Sequence, residues 1–490
     1  MFKKIKSVLL ENRSVRQTVA KNTFWLIGGE AAGQALRFLI VVYAARILGA
    51  EAWGAFSYAI ALAIIFNIVG DLGIGVLFTR EAIKKPEIKD QYLSTAFFIK
   101  AAFLVFAALI IILTSPFVTK IEAVRPLLPL VALLLVFDGL REFGYAVNRA
   151  REEMQWEATV KIFTHALAVI LGFAVLFVSP TPSALASSYV VASLAGFLLM
   201  VWLLRKDFKE IFKNFSKILV KPIIQAAWPL ALLGILGGII LQSGVLMLGW
   251  LKAAGEVGIF SAAQRPVQLL YIFPLLIAVA LFPTFTRLIR RGRMEFAREL
   301  LEEAIAYLSA VALPICIAGV ILADDLVLFF FGREYLATIP SFQILLLTLP
   351  LVFPAAVIAD AVLAYDRQKV FMKLLAFAAL LNIILNLLLI PPLGEIGAAL
   401  SVLITFLFIY LFAWRGIKKI ISFSVLAKLK RPVFASVLMT LGLLLGQAVG
   451  FHPSVNLGLS VAVYLAALVP AVDLWPPIKR WLKINEDGTR

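Results

Sequence analysis

The sequence has few charged residues for its length. Only 15% of its 490 residues are Asp, Glu, Lys or Arg, whereas 62% are apolar, and the mean hydropathy is +0.98. A soluble globular domain is about 25% charged and about 45–50% apolar. Water is therefore a poor solvent for most of this chain, and the composition indicates an integral membrane protein.

Cysteine and histidine are too scarce for a disulfide or a metal centre. Cys316 is the single cysteine, which excludes an intramolecular disulfide, and His165 and His452 are the two histidines. We therefore expect no metal site and no cofactor. The sequence also lacks a Gly-Lys-Ser/Thr nucleotide-binding loop, so direct ATP hydrolysis is not expected.

Apolar runs of about twenty residues recur along the chain, and a helix of that length crosses a hydrocarbon core of about 30 Å. The sequence therefore predicts an all-α integral membrane protein with about fourteen transmembrane helices. The predicted spans are 22–43, 55–78, 93–114, 126–148, 158–178, 183–204, 225–250, 257–285, 302–323, 339–364, 370–390, 396–414, 432–450 and 455–473.

The net charge of +17 comes from basic residues in short clusters between the apolar runs. If the N-terminus is cytoplasmic, almost all Lys and Arg residues outside the spans fall on the cytoplasmic side, as the positive-inside rule requires. We therefore predict a multi-pass protein of the cytoplasmic membrane with both termini in the cytoplasm, and no nucleic-acid partner. The five exceptions lie in outer loops: Arg46, Lys120, Arg125, Lys252 and Arg333.

Short motifs recur about 204 residues apart. The matched pairs are 54–59 with 258–263, Trp25 with Trp228, and 78–80 with 285–287. They indicate two six-helix repeats followed by an appended pair of helices. Because each repeat has an even number of spans, both have the same orientation and should be related by an axis along the membrane normal.

These patterns divide the chain into segments. Residues 1–21 are expected to form a basic amphipathic helix on the cytoplasmic surface, with a frayed tail as the alternative, and no cleaved signal peptide is evident. The remaining predicted segments are an N-terminal six-helix lobe (22–204), a cytoplasmic linker (205–224), a C-terminal six-helix lobe (225–415), a basic cytoplasmic loop (416–431), two additional transmembrane helices (432–473) and a cytoplasmic tail (474–490).

Both halves carry motifs in a characteristic order. They are Asn-Thr-Phe-Trp at 22–25, Ala-Arg-Ile-Leu-Gly at 45–49, Trp-Gly-Ala-Phe-Ser at 53–57, Asp-Leu-Gly at 71–73, Phe-Gly-Arg-Glu-Tyr at 331–335, Asn-Ile-Ile-Leu-Asn at 382–386 and Gly-Glu-Ile-Gly-Ala-Ala at 394–399. Over roughly residues 15–420 the chain resembles the polysaccharide-biosynthesis flippases of the multidrug/oligosaccharidyl-lipid/polysaccharide exporter superfamily.

The resemblance implies a V-shaped transporter in which two six-helix lobes enclose a central cavity, with two extra C-terminal helices. It implies translocation of lipid-phosphate- or lipid-pyrophosphate-linked oligosaccharide from the cytoplasmic to the outer leaflet by alternating access. The implied partners are a polyprenyl-(pyro)phosphate-linked glycan, membrane lipids and glycan-assembly enzymes. No motif identifies the sugar.

Polar residues within the spans are candidates for the cavity, because a charge at the bilayer centre costs at least about 2.5–3.5 kcal/mol. Guanidinium groups would bind phosphate, and carboxylates and amides would bind sugar hydroxyls. The candidates are Arg37, Arg265, Glu30, Gln34, Arg141, Glu142, Asp138, Lys100, Gln264 and Gln268, with Asp71 and Glu30 as possible sites of ion coupling.

The alternative interpretation of these charges is structural. Glu30 could pair with Arg37, and Asp138 with Arg141, so that the charges hold a lobe together instead of binding a substrate. Lys100 and Lys161 lie within about three turns of the cytoplasmic end, where they could extend to the interface.

Two other functions stay open at this point. A cation-coupled multidrug exporter of the same superfamily would need an acidic cavity, which Arg37 and Arg265 disfavour and Glu30 and Asp71 favour. A membrane glycan polymerase would need a large extramembrane region with catalytic acids, whereas the longest outer loop, near 323–340, is short. We therefore expect a transporter and not an enzyme.

Overall fold

The computed structural model describes residues 15–114 and 119–468, and all regular secondary structure in these ranges is helical. The α-helices are α1 (Val15–Asp71), α2 (Ile74–Lys84), α3 (Lys89–Leu113), α4 (Leu128–Ala150), α5 (Met154–Val178), α6 (Pro182–Leu203), α7 (Arg205–Ile211), α8 (Lys217–Leu251), α9 (Ala254–Leu270), α10 (Ile272–Arg290), α11 (Met294–Ile321), α12 (Ala323–Phe330), α13 (Thr338–Leu346), α14 (Leu349–Ala364), α15 (Gln368–Lys418), α16 (Leu426–Val449) and α17 (Pro453–Leu468). Short 3-10 helices lie at Pro86–Ile88, Glu122–Leu127 and Arg333–Tyr335.

Eleven helical stretches in the described residues are long and apolar enough to cross a membrane. Two of them contain a break where a glycine adopts positive φ, Gly49 in α1 (φ 75°) and Gly394 in α15 (φ 56°), so each covers two predicted spans. The shorter helix α17 coincides with most of the last predicted span. Each of the fourteen predicted spans therefore falls on a helical segment, and the prediction of an all-α multi-pass protein is confirmed.

The described residues fall into two compact units. The first is drawn from Met1–Ile272, Phe330–Leu345 and Met372–Phe408, and the second from Phe273–Phe329, Leu346–Phe371 and Ile409–Arg490. The division into two six-helix lobes and their V shape stay predictions. Most of the N-terminal segment 1–21, the end of the last predicted span and the tail 474–490 lie outside the described residues.

Within the first unit, the duplicated segments pack directly on one another, α1 against α9. A Cβ at Gly54 would lie 1.8 Å from the carbonyl oxygen of Ala254, and a Cβ at Gly258 would lie 1.9 Å from that of Ala50. The contact is reciprocal, because both pairs of equivalent residues are separated by the 204-residue spacing of the duplication. Equivalent surfaces that meet in this way are typical of a two-fold relationship.

Helix α5 also packs closely on α1, and this contact positions the polar residues of both helices. A Cβ at Gly29 would lie 2.7 Å from the Cβ of Ala158, and one at Gly33 would lie 2.9 Å from the His165 ring. These two glycines therefore allow the polar face of α5 to lie directly against the polar face of α1. Lys161 lies between these two contacts on α5.

In the second unit, the appended helices α16 and α17 are held against α11. The Tyr464 hydroxyl donates to the carbonyl oxygen of Ala310 at 2.5 Å. The carboxylate of Glu302 accepts a hydrogen bond from the backbone N–H of Ser424 at 2.8 Å and pairs with Lys428 at 3.2 Å. These bonds fix the loop that leads into the appended pair.

Candidate functional site

A cavity of about 590 Å³ lies within the first unit, between α1, α4, α5, α6, α8 and α9. One part of its wall is apolar, including Ile64 and Ile68 on α1 and Leu230 and Leu233 on α8. The polar part of the wall comes almost entirely from the N-terminal half of the chain. Its polar residues are Arg37, Asn67, Asp71, Asp138, Arg141, Glu142, Thr164, His165, Tyr189, Ser193 and Arg265.

A second cavity of about 310 Å³ is continuous with the first, because six residues line both. These shared residues are Arg37, Asp71, Val76, Arg141, Glu142 and His165. The second cavity has a more polar lining. Its own polar residues are Glu30, Gln34, Lys100, Tyr145, Arg149 and Lys161. We call the two the larger and the smaller cavity.

The structure brings most of the candidate site residues together at these cavities. Arg265 and Asp138 line the larger one, Glu30, Gln34 and Lys100 line the smaller one, and the shared residues include the other candidates except two. Gln264 and Gln268 lie elsewhere, beside a narrow crevice, where Gln264 donates to the carbonyl oxygen of Leu241 at 3.0 Å. Their position gives them no contact with either cavity.

The most buried cation of the site is held by a carboxylate from a neighbouring helix. Lys100 on α3 is 1% exposed, and its Nζ lies 2.5 Å from Oδ1 of Asp71 at the end of α1. A buried ammonium needs such a partner, because an uncompensated charge in a low-dielectric interior is costly. Asp71, a candidate for ion coupling, therefore has a fixed cation beside it.

A second group of charges joins α1 to α5. Nζ of Lys161 lies 2.7 Å from Oε2 of Glu30 and 3.6 Å from Oε1 of Glu157. Both carboxylate oxygens of Glu157 also accept hydrogen bonds from the guanidinium of Arg149, at 2.5 and 2.7 Å. Gln34 donates to the remaining oxygen of Glu30 at 3.0 Å.

The suggested ion pair between Glu30 and Arg37 is wrong. Glu30 pairs with Lys161 instead, because the close packing at Gly33 brings α5 within reach of it. Arg37 lies two turns further along α1, and its Nη2 is 3.3 Å from Nε2 of His165. Since a guanidinium can only donate, this His165 nitrogen is the acceptor and the imidazole is neutral.

The suggested pair between Asp138 and Arg141 is present. Arg141 Nη2 lies 2.8 Å from Asp138 Oδ1, one turn away on α4, and Nη1 donates to the hydroxyl of Ser193 on α6 at 3.2 Å. Ser193 in turn donates to Asp138. The three side chains form a closed network that joins α4 to α6.

Three charged side chains of the cavities stand apart from these pairs. Within residues 15–114 and 119–468, no carboxylate oxygen lies within 4.0 Å of a nitrogen of Arg37 or Arg265. Over the same ranges, Glu142 has no cationic nitrogen at that distance, and its Oε2 accepts a hydrogen bond from Asn67 at 3.3 Å. The cavities therefore offer two unpaired guanidinium groups and one unpaired carboxylate.

Sequence reasoning missed several residues of the site. Tyr189 and Ser193 on α6 escaped notice because neither carries a charge. The predicted span 126–148 ends before Arg149, whereas α4 continues to Ala150 and carries this side chain into the smaller cavity. Lys161 and His165 are visible in the sequence as polar residues of a span, but their partners could not be predicted because these depend on which helix packs against α5.

Comparison with known proteins agrees with this architecture. A family model described as polysaccharide biosynthesis protein matches residues 19–289, and a MatE model matches residues 229–388. A probable low-salt glycan biosynthesis flippase, Agl15, of Haloferax volcanii is 24% identical over 404 residues, 79% of this chain and 81% of that protein. A putative O-antigen transporter of Shigella flexneri is 22% identical over 403 residues, 78% of this chain and 94% of that protein.

The fold is similar to that of a solved transporter. The lipid II flippase MurJ in an inward closed conformation superimposes with a TM-score of 0.73 over 89% of this chain and 96% of that chain, at 18% identity. This likeness confirms the predicted transporter fold, and the first family model covers more than half of the sequence. The chain thus belongs to the polysaccharide biosynthesis protein family, as its motifs indicate.

Proposed function

We propose that the protein is a flippase that moves a lipid-phosphate- or lipid-pyrophosphate-linked oligosaccharide from the cytoplasmic to the outer leaflet by alternating access. The observation that carries this proposal is the unpaired state of Arg37 and Arg265 at one cavity. A planar guanidinium fork matches the oxygens of a phosphate, and two of them suit a diphosphate. The names of the Haloferax, Shigella and MurJ proteins support the same class of cargo.

The polar and apolar parts of the cavity walls would bind different parts of the cargo. The phosphates would lie at Arg37 and Arg265, and the glycan would extend into the smaller cavity. The apolar wall, with Ile64, Ile68 and Leu233, would contact the first units of the lipid chain. Such a division lets the polar headgroup cross inside the protein, where the cost of placing it in hydrocarbon is avoided.

The proposed setting is the cytoplasmic membrane, with both termini in the cytoplasm and a surface polysaccharide or other glycan as the final product. Glycan-assembly enzymes are proposed partners, because they would supply the lipid-linked precursor. Ion coupling at Asp71 or Glu30 stays a prediction, and each of these carboxylates has a lysine beside it.

A cation-coupled multidrug exporter is the second candidate, favoured by the MatE match over residues 229–388. A lipophilic cation would need unpaired carboxylates in the cavity. Most of the carboxylates there form ion pairs with lysine or arginine, whereas the guanidinium groups of Arg37 and Arg265 have no carboxylate partner among the described residues. The charge of the cavity therefore favours an anionic cargo.

Reconstitution in liposomes tests the proposal. Purified protein should carry a fluorescent polyprenyl-diphosphate-linked sugar between leaflets, measured by its accessibility to a membrane-impermeant quencher, and should not accumulate ethidium under an ion gradient. Empty liposomes give the spontaneous rate. Ethidium accumulation together with no movement of the lipid-linked sugar would overturn the proposal in favour of the exporter.

A further inference from the structure

We infer that the glycan unit next to the phosphate is a sugar without negative charge, because the described lining of the smaller cavity offers no free cation besides Arg37, which the phosphate would occupy. This inference rests on the proposed function. It narrows the cargo to lipid-phosphate- or diphosphate-linked glycans whose first sugar is neutral and excludes those whose first sugar is a uronic acid.

Apart from Arg37, every basic side chain that lines the smaller cavity in the described part of the chain has a carboxylate partner. Their nitrogen–oxygen distances are 2.5 Å for Lys100 with Asp71, 2.7 Å for Lys161 with Glu30, 2.5 Å for Arg149 with Glu157 and 2.8 Å for Arg141 with Asp138. A sugar carboxylate could be neutralised here only if one of these pairs opened. Opening a pair would leave a partly buried carboxylate without its cation, which is unfavourable.

Apart from Arg37, the unpaired charge in the described lining of the smaller cavity is the carboxylate of Glu142. Glu142 lies on the shared wall, its side chain is exposed to the cavity, and its Oε2 is held by Asn67 at 3.3 Å. A carboxylate accepts hydrogen bonds and cannot donate them, so it matches the O–H groups of a neutral sugar. A second carboxylate beside it would be repelled, and the repulsion is stronger in a partly desolvated site than in water.

The charged residues that line only the smaller cavity lie on the side of Arg37 away from Arg265. On α1, Glu30 precedes Arg37 by two turns, which is about 10 Å along the axis. Glu30, Lys161 and Arg149 line the smaller cavity and not the larger one, whereas Arg265 lines the larger one alone. A diphosphate that spans Arg37 and Arg265 would therefore direct its sugar into the smaller cavity, past Glu142 on the shared wall and toward the paired charges.

The test compares two lipid-linked sugars that differ at one carbon. Liposomes with the purified protein receive a polyprenyl-diphosphate-linked hexose or the matching hexuronic acid, and the rate of transfer between leaflets is measured for each. We expect the hexose to move at least about tenfold faster, since each 1.4 kcal/mol of repulsion gives a factor of ten.

Two variants test whether this preference for the hexose arises from the charges of the cavity. Glu142→Gln removes the unpaired negative charge, and Asp138→Asn frees the guanidinium of Arg141, so each should reduce the preference to less than about threefold. Glu299→Gln makes the same kind of change on an exposed surface of α11 and should leave the preference unchanged. The second variant keeps the test decisive if the first does not fold.

The possible results are distinguishable. Equal rates for the two sugars would overturn the inference and leave the proposed flippase intact. A preference for the hexose that neither variant reduces would overturn its assignment to this cavity. Failure to move either sugar, with a folded protein, would instead overturn the proposed function.

Discussion

Arg37 and Arg265 differ from the other basic residues of the cavities because no carboxylate neutralises them within the described chain. Replacing either with alanine removes hydrogen bonds to a charged ligand, each worth about 1.5–3 kcal/mol. We expect Arg37→Ala and Arg265→Ala each to reduce glycan export at least about tenfold, with nearly unchanged membrane abundance. Cell-surface glycan and immunoblots of the membrane fraction would measure the two quantities.

Lysine at either position is the informative control. An ammonium keeps the positive charge but offers no planar fork, so Arg37→Lys and Arg265→Lys should restore export only in part. Normal export by both alanine variants would show that these arginines have a structural role instead.

The pair of Lys100 and Asp71 gives a prediction about stability. Lys100→Met leaves a carboxylate without its partner, a change that costs about 3–5 kcal/mol for a fully buried pair. Because the side chain of Asp71 is 27% exposed, we expect a smaller but clear loss, measured as a lower unfolding temperature in detergent. The double variant Lys100→Met/Asp71→Asn should recover most of the loss, and a double variant as unstable as the single one would contradict this account.

The sequence predicted which charged residues line the site better than it predicted which of them form ion pairs with one another. A charged residue in a long apolar run is conspicuous, and Arg37, Arg141 and Lys100 were found in this way. Partners were harder to predict, because they depend on which helices are neighbours. Glu30 and Arg37 share a helical face, but two turns separate them by about 10 Å, and Lys161 on another helix is closer.

At the scale of helices, the crossing of α1 and α9 gives the sharpest prediction. A Cβ at Gly258 would lie 1.9 Å from a backbone oxygen, whereas a Cβ at Gly255, one turn earlier on the same helix, meets nothing within 4 Å. Overpacking costs typically about 1–3 kcal/mol and occasionally more. Gly258→Ala should therefore lower the unfolding temperature of the purified protein clearly, and Gly255→Ala should not.

The reciprocal site gives a second measurement of the same contact. Gly54→Ala places its methyl group against Ala254 and should destabilise the protein by a similar amount. If Gly54→Ala and Gly258→Ala melted like Gly255→Ala, the close crossing of these helices would be refuted.

Hydropathy predicted the existence of the helices but not all of their ends. The seventh span was predicted to begin at 225, whereas α8 begins at Lys217 and continues through Pro222 and Pro229. Proline is tolerated in membrane-spanning helices because neighbouring groups satisfy the backbone carbonyl that it leaves free. Part of the predicted linker 205–224 therefore belongs to α8, and α7 occupies its beginning. The gaps between the predicted spans at 44–54 and 391–395 contain the breaks at Gly49 and Gly394, but the helical structure that continues up to each glycine is evident only from the backbone.

For the molecule as a whole, orientation in the membrane follows from the distribution of Lys and Arg, because a single missed span would exchange the two sides for the rest of the chain. The helices fit this alternation. The turn between α5 and α6 has no basic residue, whereas the segment between α6 and α8 carries Lys206, Lys209 and Lys213. We therefore predict that the first of these segments faces outward and the second faces the cytoplasm.

Cysteine labelling in intact cells tests this orientation. The buried Cys316 is first replaced by alanine, and single cysteines are then introduced at exposed positions. Pro180→Cys and Leu393→Cys should react with a membrane-impermeant maleimide, because Pro180 lies in the turn between α5 and α6 and Leu393 lies beside the break at Gly394, and we assign both places to the outer face. Lys213→Cys and Lys369→Cys should react only after the cells are permeabilised, which also shows that their thiols are accessible. Labelling of the second pair before permeabilisation, without labelling of the first, would reverse the predicted orientation.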